Sequence, residues 1–95
     1  IIMKSFNCVL LIDDDGVTNF INYRIVKKLS ISTRIESAIN GGEALNFIKE
    51  FALKNENCGP ELILLDVNMP VLNGIEFLTY FDKLDLANKK STHIV

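Results

Sequence analysis

Two short, wholly apolar runs in this chain end in aspartate, and they limit what the chain can fold into. Residues 8–12 lead into three consecutive aspartates, and Leu62–Leu65 leads into Asp66. Continuous apolar runs are typical of strands that are buried on both faces, as in parallel sheets. Parallel strands need helical crossovers, so all their carboxyl ends lie at one edge of the sheet. We therefore expect both acidic ends at the same edge.

The aspartates at this edge are expected to repel one another. If the two most apolar strands are neighbours, Asp66 lies close to Asp13 and Asp14. At a separation of about 5 Å and an effective dielectric constant of about 20, each pair of carboxylates repels by about 3 kcal/mol. A hard divalent cation offsets this repulsion, and Mg²⁺ prefers one or two carboxylates, a carbonyl, waters and a phosphate. The cluster therefore predicts a phosphate site that uses Mg²⁺.

Helical and extended segments alternate along the chain. Apolar residues at helical spacing predict three helices, and the third of them is expected to place its apolar residues in the core. A second strand is predicted over residues 34–38, and a fourth begins at His93, while Asp15 is expected to cap the first helix. The helix-marking residues are Val17, Phe20, Ile21, Ile25 and Leu29; Ala44, Leu45, Ile48, Phe51 and Ala52; and Gly74, Phe77, Leu78 and Phe81.

This alternation predicts an α/β fold, a doubly wound parallel sheet whose ligands bind outside the carboxyl ends of the strands. Three strand–helix units are followed only by the start of a fourth strand, which would be an edge without a partner. Completing such a sheet takes about 30 more residues. Residues 1–95 are therefore expected to be one domain whose C-terminal part is missing.

Composition excludes several classes of function. The chain has 95 residues, 48% of them hydrophobic, which suits one small globular domain. Its formal charge is −2 and its basic residues are scattered, so we expect neither direct nucleic acid binding nor membrane binding. Two cysteines and one histidine indicate neither a disulfide framework nor a zinc site. The absence of a signal peptide or membrane span favours the cytoplasm.

Three segments stand out along the chain: Leu10-Leu-Ile-Asp-Asp-Asp15, Ala38-x-Asn-Gly-x-Glu-Ala-Leu45, and Leu64-Leu-Asp-Val-Asn-Met-Pro-Val-Leu-Asn-Gly74. Together they resemble the receiver domain of bacterial two-component response regulators. The resemblance spans the whole chain and is most specific in the third segment. It implies a flavodoxin-like sheet and a phosphoacceptor that takes its phosphoryl group from a sensor histidine kinase or a phosphotransfer protein. A downstream effector or output domain is a further possible partner.

The resemblance also implies roles for individual residues. Asp66 would be the phosphoacceptor and also a Mg²⁺ ligand, Asp14 would coordinate Mg²⁺ with Asp13 assisting through water, and the main-chain carbonyl of Asn68 would be a third ligand. Asn73 stands where many relatives carry Asp, which is expected to affect only the turn. The switch Ser or Thr and the conserved Lys of such domains would lie beyond Val95. A receiver catalyses its own phosphorylation and dephosphorylation and is not a turnover enzyme.

Two other functions are compatible with parts of the sequence. The run Asp13-Asp-Asp15-Gly-Val resembles the first motif of haloacid-dehalogenase-like phosphohydrolases, in which Asp13 would be the nucleophile and Asp15 the acid and base. No later motif of that family follows, and the Asp66 segment would be unexplained. A docking module that works without phosphorylation is the other alternative.

Pro70 and Gly74 are expected to shape the loop after Asp66.

Overall fold

The computed structural model describes residues 5–69 and 72–95, and it confirms the predicted alternation of strands and helices. The strands are all parallel and lie in the order β2-β1-β3-β4. This is a doubly wound, flavodoxin-like sheet. A 3-10 helix over Lys89–Ser91 was not predicted. The elements are β1 (Val9–Ile12), α1 (Gly16–Leu29), β2 (Ile35–Ala38), α2 (Gly41–Lys54), β3 (Leu62–Leu65), α3 (Gly74–Asp82) and β4 (His93–Ile94).

The two most apolar strands are neighbours at the centre of the sheet, as predicted. The last residue of β1, Ile12, is in register with Leu65 on one side and with Ala38 on the other. The chain passes from β1 to β2 on one flank and then crosses to β3 on the opposite flank. The strand order therefore reverses between β1 and β3, and the residues that follow Ile12 and Leu65 lie at this switch point.

Side-chain caps define where the helices begin. Asp15 is the N-cap of α1, as predicted, and its carboxylate accepts a hydrogen bond from the backbone N–H of Val17 at 2.9 Å. Asn73 forms a capping box with Glu76 at the start of α3. Capping boxes satisfy backbone N–H groups that lack partners within the helix. The amide of Asn73 therefore serves the turn before α3.

The core lies on both faces of the sheet. Helices α2 and α3 cover one face, where Leu10, Ile63 and Phe77 are fully buried. All five marker residues of the second helix are buried, as that pattern predicted. On the other face, Val26 of α1 packs with Val9 and Leu11. Each face therefore has its own apolar cluster. Within the described residues, no helix is both long and apolar enough to cross a membrane.

The apolar stripe that marks α1 faces away from the sheet. The exposed fractions of Phe20 and Ile25 are 59% and 51%, whereas α1 buries Asn19 and Val26. Helical spacing identified the helix, but it did not show which side of the helix meets the strands. The remaining residues of the exposed stripe are Val17, Ile21 and Leu29.

One predicted core position in α3 is wrong. Leu78 is 37% exposed, although Phe77 and Phe81 are buried as predicted. Phe77 and Phe81 are four residues apart and so share the inward face of the helix, whereas Leu78 is one position further round. The prediction for Pro70 falls outside the described residues.

Candidate functional site

Three aspartates meet at the carboxyl edge of the sheet. Carboxylate oxygens of Asp13, Asp14 and Asp66 all lie within 4.8 Å of one another. The parallel register brings them together, because the backbone N–H of Asp66 donates to the carbonyl of Ile12 at 2.9 Å. The backbone N–H of Asp13 likewise donates to the carbonyl of Ala38 at 3.1 Å. The juxtaposition predicted from the two apolar runs is therefore present.

The aspartates in the turn after β1 make different contacts and so have different roles. The Oδ1 of Asp13 accepts a hydrogen bond from the backbone N–H of Asp15 at 2.9 Å, which folds the turn back on itself. Both oxygens of Asp15 serve the start of α1, through the N–H of Val17 and the hydroxyl of Thr18 at 3.0 Å. Asp15 therefore acts as a helix cap, and its carboxylate is not part of the cluster. The phosphohydrolase alternative needs that carboxylate as its acid and base.

The loop after β3 folds over the Asp66 side chain. The Oδ1 of Asp66 accepts a hydrogen bond from the backbone N–H of Asn68 at 3.0 Å, so the main chain of residue 68 lies beside this carboxylate. Gly74 lets the loop pack against α3, because a Cβ atom there would lie 2.6 Å from Cα of Val67 and 3.1 Å from the carbonyl oxygen of Asp66. Gly74 therefore shapes this loop, as predicted.

Burial and neighbouring negative charge both act on the pKa of Asp13 in the same direction. Partial burial raises the pKa of Asp13, the hydrogen bond from the Asp15 N–H lowers it, and the negative charges of Asp66 and Asp14 raise it further, with a smaller contribution from Asp15. A cleft of about 290 Å³ opens beside Asp13 and Asp66, and no lysine or arginine of the described chain lines it. The carboxylates therefore have no cationic partner in this cleft.

The donor set suits Mg²⁺. The cluster offers hard carboxylate oxygens from Asp13, Asp14 and Asp66, and the main chain of Asn68 lies beside it. Mg²⁺ takes few protein ligands and keeps positions for waters and a phosphate, which an open cleft allows. The structure thus places Asp13 and Asp66 in one acidic cleft, with the Asp14 carboxylate and the main chain of Asn68 close to them.

Sequence reasoning missed two asparagines that line this cleft, Asn19 and Asn22, and of these Asn19 is the buried one. Asn19 lines the same cleft and is 6% exposed, and its side chain donates to the carbonyl of Asp13. Asn19 and Val26 are seven residues apart, about two helical turns, and they form the buried side of α1. The spacing of Asn19 and Val26 places them on the same side of the helix, and this was the signal that could have identified Asn19.

The family model described as "Response regulator receiver domain" matches residues 9–95. A probable C4-dicarboxylate response regulator, DctR, of Halalkalibacterium halodurans is 36% identical over 70 residues, which cover 74% of this chain and 27% of that protein. The chain spans only 4% to 27% of the length of the curated relatives it matches.

Solved structures show the same fold. A two-component response regulator from Cytophaga hutchinsonii superposes with a TM-score of 0.81 at 32% identity, covering 96% of this chain and 67% of that one. A chemotaxis regulator, CheY6 from R. sphaeroides, described in complex with the P1 domain of CheA3, gives a TM-score of 0.64 at 30% identity. That match covers 95% of this chain and 61% of the other.

Proposed function

Because the chain belongs to the response regulator receiver domain family, we propose that it accepts a phosphoryl group on Asp66 in a reaction that uses Mg²⁺. The main support is that carboxylate oxygens of Asp13, Asp14 and Asp66 lie within 4.8 Å of one another at the point where the strand order reverses. Phosphoryl transfer depends mostly on positioning and charge neutralisation. In the acidic cleft, the hydrogen bond from the N–H of Asn68 positions the carboxylate of Asp66.

The proposed reaction forms an acyl phosphate. A carboxylate oxygen of Asp66 attacks the phosphorus, the bond between phosphorus and the donor atom breaks, and its electron pair leaves with the donor. Asp13, Asp14 and the carbonyl of Asn68 would hold Mg²⁺, which neutralises charge on the phosphoryl oxygens when bound. The N–H of Asn68 orients Asp66 through its hydrogen bond to Oδ1. In dephosphorylation, water attacks the same phosphorus, the bond from phosphorus to the Asp66 oxygen breaks, and inorganic phosphate leaves the restored carboxylate.

We propose a sensor histidine kinase or a phosphotransfer protein as the phosphodonor. The R. sphaeroides complex, in which a similar regulator is paired with the P1 domain of a CheA protein, supports this partner class. The protein would act in the cytoplasm as a signalling domain for an effector or output domain, without turnover chemistry of its own and without binding nucleic acid. The formal charge of −2 agrees with the last point.

We also propose that this receiver domain continues beyond Val95. Two surfaces support the proposal: α1 exposes Phe20 and Ile25, and both residues of the edge strand β4 are exposed. The alignment with the Cytophaga hutchinsonii regulator covers 67% of that chain. A further strand and helix would cover both surfaces.

Transfer from a phosphorylated histidine protein tests the proposed function. With Mg²⁺, we expect the wild-type protein to take up phosphate in a form that alkali releases, as an acyl phosphate does. Asp66→Asn should take up none, and EDTA should abolish uptake by the wild type. The matched control is Asp85→Asn, which removes a carboxylate outside the cluster and should label normally. Uptake that persists in Asp66→Asn would overturn the proposal.

The metal is tested separately by calorimetry. Asp14→Asn should weaken Mg²⁺ binding, because it removes a charged oxygen ligand from the cluster. Asp85→Asn should leave the Kd unchanged. Mg²⁺ binding that is indifferent to Asp14→Asn would place the ion elsewhere. Mg²⁺ binding at the cluster without any phosphate uptake would favour the docking module that works without phosphorylation.

A further inference from the structure

Asn19 joins three parts of the fold through one buried side chain. It lies on α1, and its Nδ2 donates to the carbonyl of Asp13 at 2.9 Å and to the carbonyl of Ala38 at 3.3 Å. Two carbonyl acceptors require the amino group of the amide at this position, so they settle which way the amide points. One side chain therefore connects α1 to the ends of β1 and β2.

The same side chain leaves an acceptor unpaired. The Oδ1 of Asn19 is buried and has no hydrogen-bond partner among the described residues. Burying a polar atom without a partner is destabilising, and native proteins seldom do it. An apolar side chain of similar volume, such as leucine, would avoid this cost but would also remove the donor that Asn19 supplies to the carbonyl of Asp13. What the asparagine provides at this position is therefore its two donated hydrogen bonds, to Asp13 and Ala38.

The position of Asn19 indicates what the amide does. The carbonyl of Asp13 belongs to the turn that carries the Asp13 and Asp14 carboxylates, and the N–H of Asp15 closes this turn on Asp13 Oδ1. Asn19 also lines the cleft that Asp13 and Asp66 share. Groups that hold metal ligands in place affect metal affinity even though they do not touch the ion.

We propose that Asn19 is a positioning residue for the acidic cleft. Its side chain holds the turn that carries Asp13 and Asp14 in the geometry that Mg²⁺ binding requires. This inference rests on the proposed function of the cleft. The amide acts through its two hydrogen bonds, which it donates to the carbonyls of Asp13 and Ala38. Loss of these bonds therefore loosens the turn in the metal-free protein and weakens Mg²⁺ binding.

The test compares two substitutions at Asn19 with one at Asn46 in the full-length protein. Asn19→Leu fills the same volume without donors, and Asn19→Ala serves if leucine prevents folding. Asn46→Leu is the matched control, because Asn46 is an exposed asparagine of α2 that lies outside the cleft and makes no side-chain hydrogen bond within the described chain. Unfolding in EDTA first establishes that each variant is folded.

Three readouts separate positioning from a purely structural role. Calorimetry should show the Kd for Mg²⁺ raised about tenfold in Asn19→Leu and unchanged in Asn46→Leu, as expected for loss of a group that orients metal ligands. Saturating Mg²⁺ should restore most of the phosphorylation rate with acetyl phosphate. In the metal-free protein, hydrogen exchange of the Asp15 amide should be faster in Asn19→Leu, because the turn that this amide closes is no longer held.

The outcomes are distinct. Folded Asn19 variants with wild-type Mg²⁺ affinity and wild-type Asp15 exchange would overturn the inference and leave the proposed function standing. If the wild-type protein itself neither binds Mg²⁺ at the cleft nor takes up phosphate on Asp66, the proposed function fails and the inference fails with it.

Discussion

Neutralising Asp13 should make the metal-free protein more stable. Its carboxylate lies within 4.8 Å of those of Asp14 and Asp66, and no lysine or arginine of the described chain lines their cleft. Asparagine has nearly the same shape, and its Oδ1 can still accept the hydrogen bond from the N–H of Asp15. Asp13→Asn therefore removes charge while it keeps the turn.

The size of the effect follows from the geometry. Two unit charges 4.8 Å apart repel by about 3 kcal/mol at an effective dielectric constant of about 20, and by about 1 kcal/mol in bulk water. Both Asp13 and Asp66 are partly exposed, so solvent screening moves the value toward the lower figure. Relief of this pair alone should stabilise the protein by about 1–2 kcal/mol. In a domain of this size, that corresponds to a rise in Tm of about 5–10 °C.

Thermal unfolding followed by circular dichroism at pH 7 in EDTA and low salt measures this gain. The control is Asp85→Asn, an exposed aspartate between α3 and β4, which should change stability by less than about 0.5 kcal/mol. Added salt should shrink the gain of Asp13→Asn, because salt screens exposed charges. Mg²⁺ should narrow the difference further, since binding stabilises the wild type by mass action. A gain no larger than that of Asp85→Asn would refute the reasoning.

Three other results are expected. Gly74→Ala should destabilise the protein by more than about 1 kcal/mol in urea, because its Cβ would overlap Cα of Val67; Gly16→Ala, with open space around it, is the control. Asn73→Ala should cost about 1 kcal/mol through loss of the α3 cap, and no loss in urea unfolding would contradict the capping assignment. Burial and neighbouring charges raise the pKa of Asp13, so the folded protein holds that proton to higher pH than the unfolded chain does. The metal-free urea midpoint should therefore fall as pH rises through that raised value, and Asp13→Asn should flatten the fall.

Much of the fold was predictable because its apolar residues follow clear patterns: continuous runs in the central strands and helical spacing in the helices. The apolar runs before Asp13 and Asp66 predicted buried parallel strands, and β1 and β3 are neighbours in the sheet. That pairing alone sufficed to predict that the two acidic ends meet. The cap at Asp15 was predicted as a polar residue just before a helical pattern, whereas Asn73 was expected to affect only the turn and its capping box was not predicted.

The orientation of α1 was not predictable from spacing. Its most regular apolar stripe contains Phe20 and Ile25, which are exposed, while the buried stripe contains Asn19 and Val26. Helical periodicity shows that a helix is amphipathic, but which stripe meets the sheet depends on what else covers the helix. The importance of Asn19 depends on contacts with Asp13 and Ala38 that only the fold brings together.

Locating the covalent phosphate tests the central claim most directly. The full-length protein is treated with acetyl phosphate and Mg²⁺, the acyl phosphate is trapped with borohydride, and the modified residue is identified by peptide mass spectrometry. The account predicts modification of Asp66 only, and none in Asp66→Asn. Modification of Asp13 would contradict the account, because it would make Asp13 the nucleophile, as in the phosphohydrolase alternative.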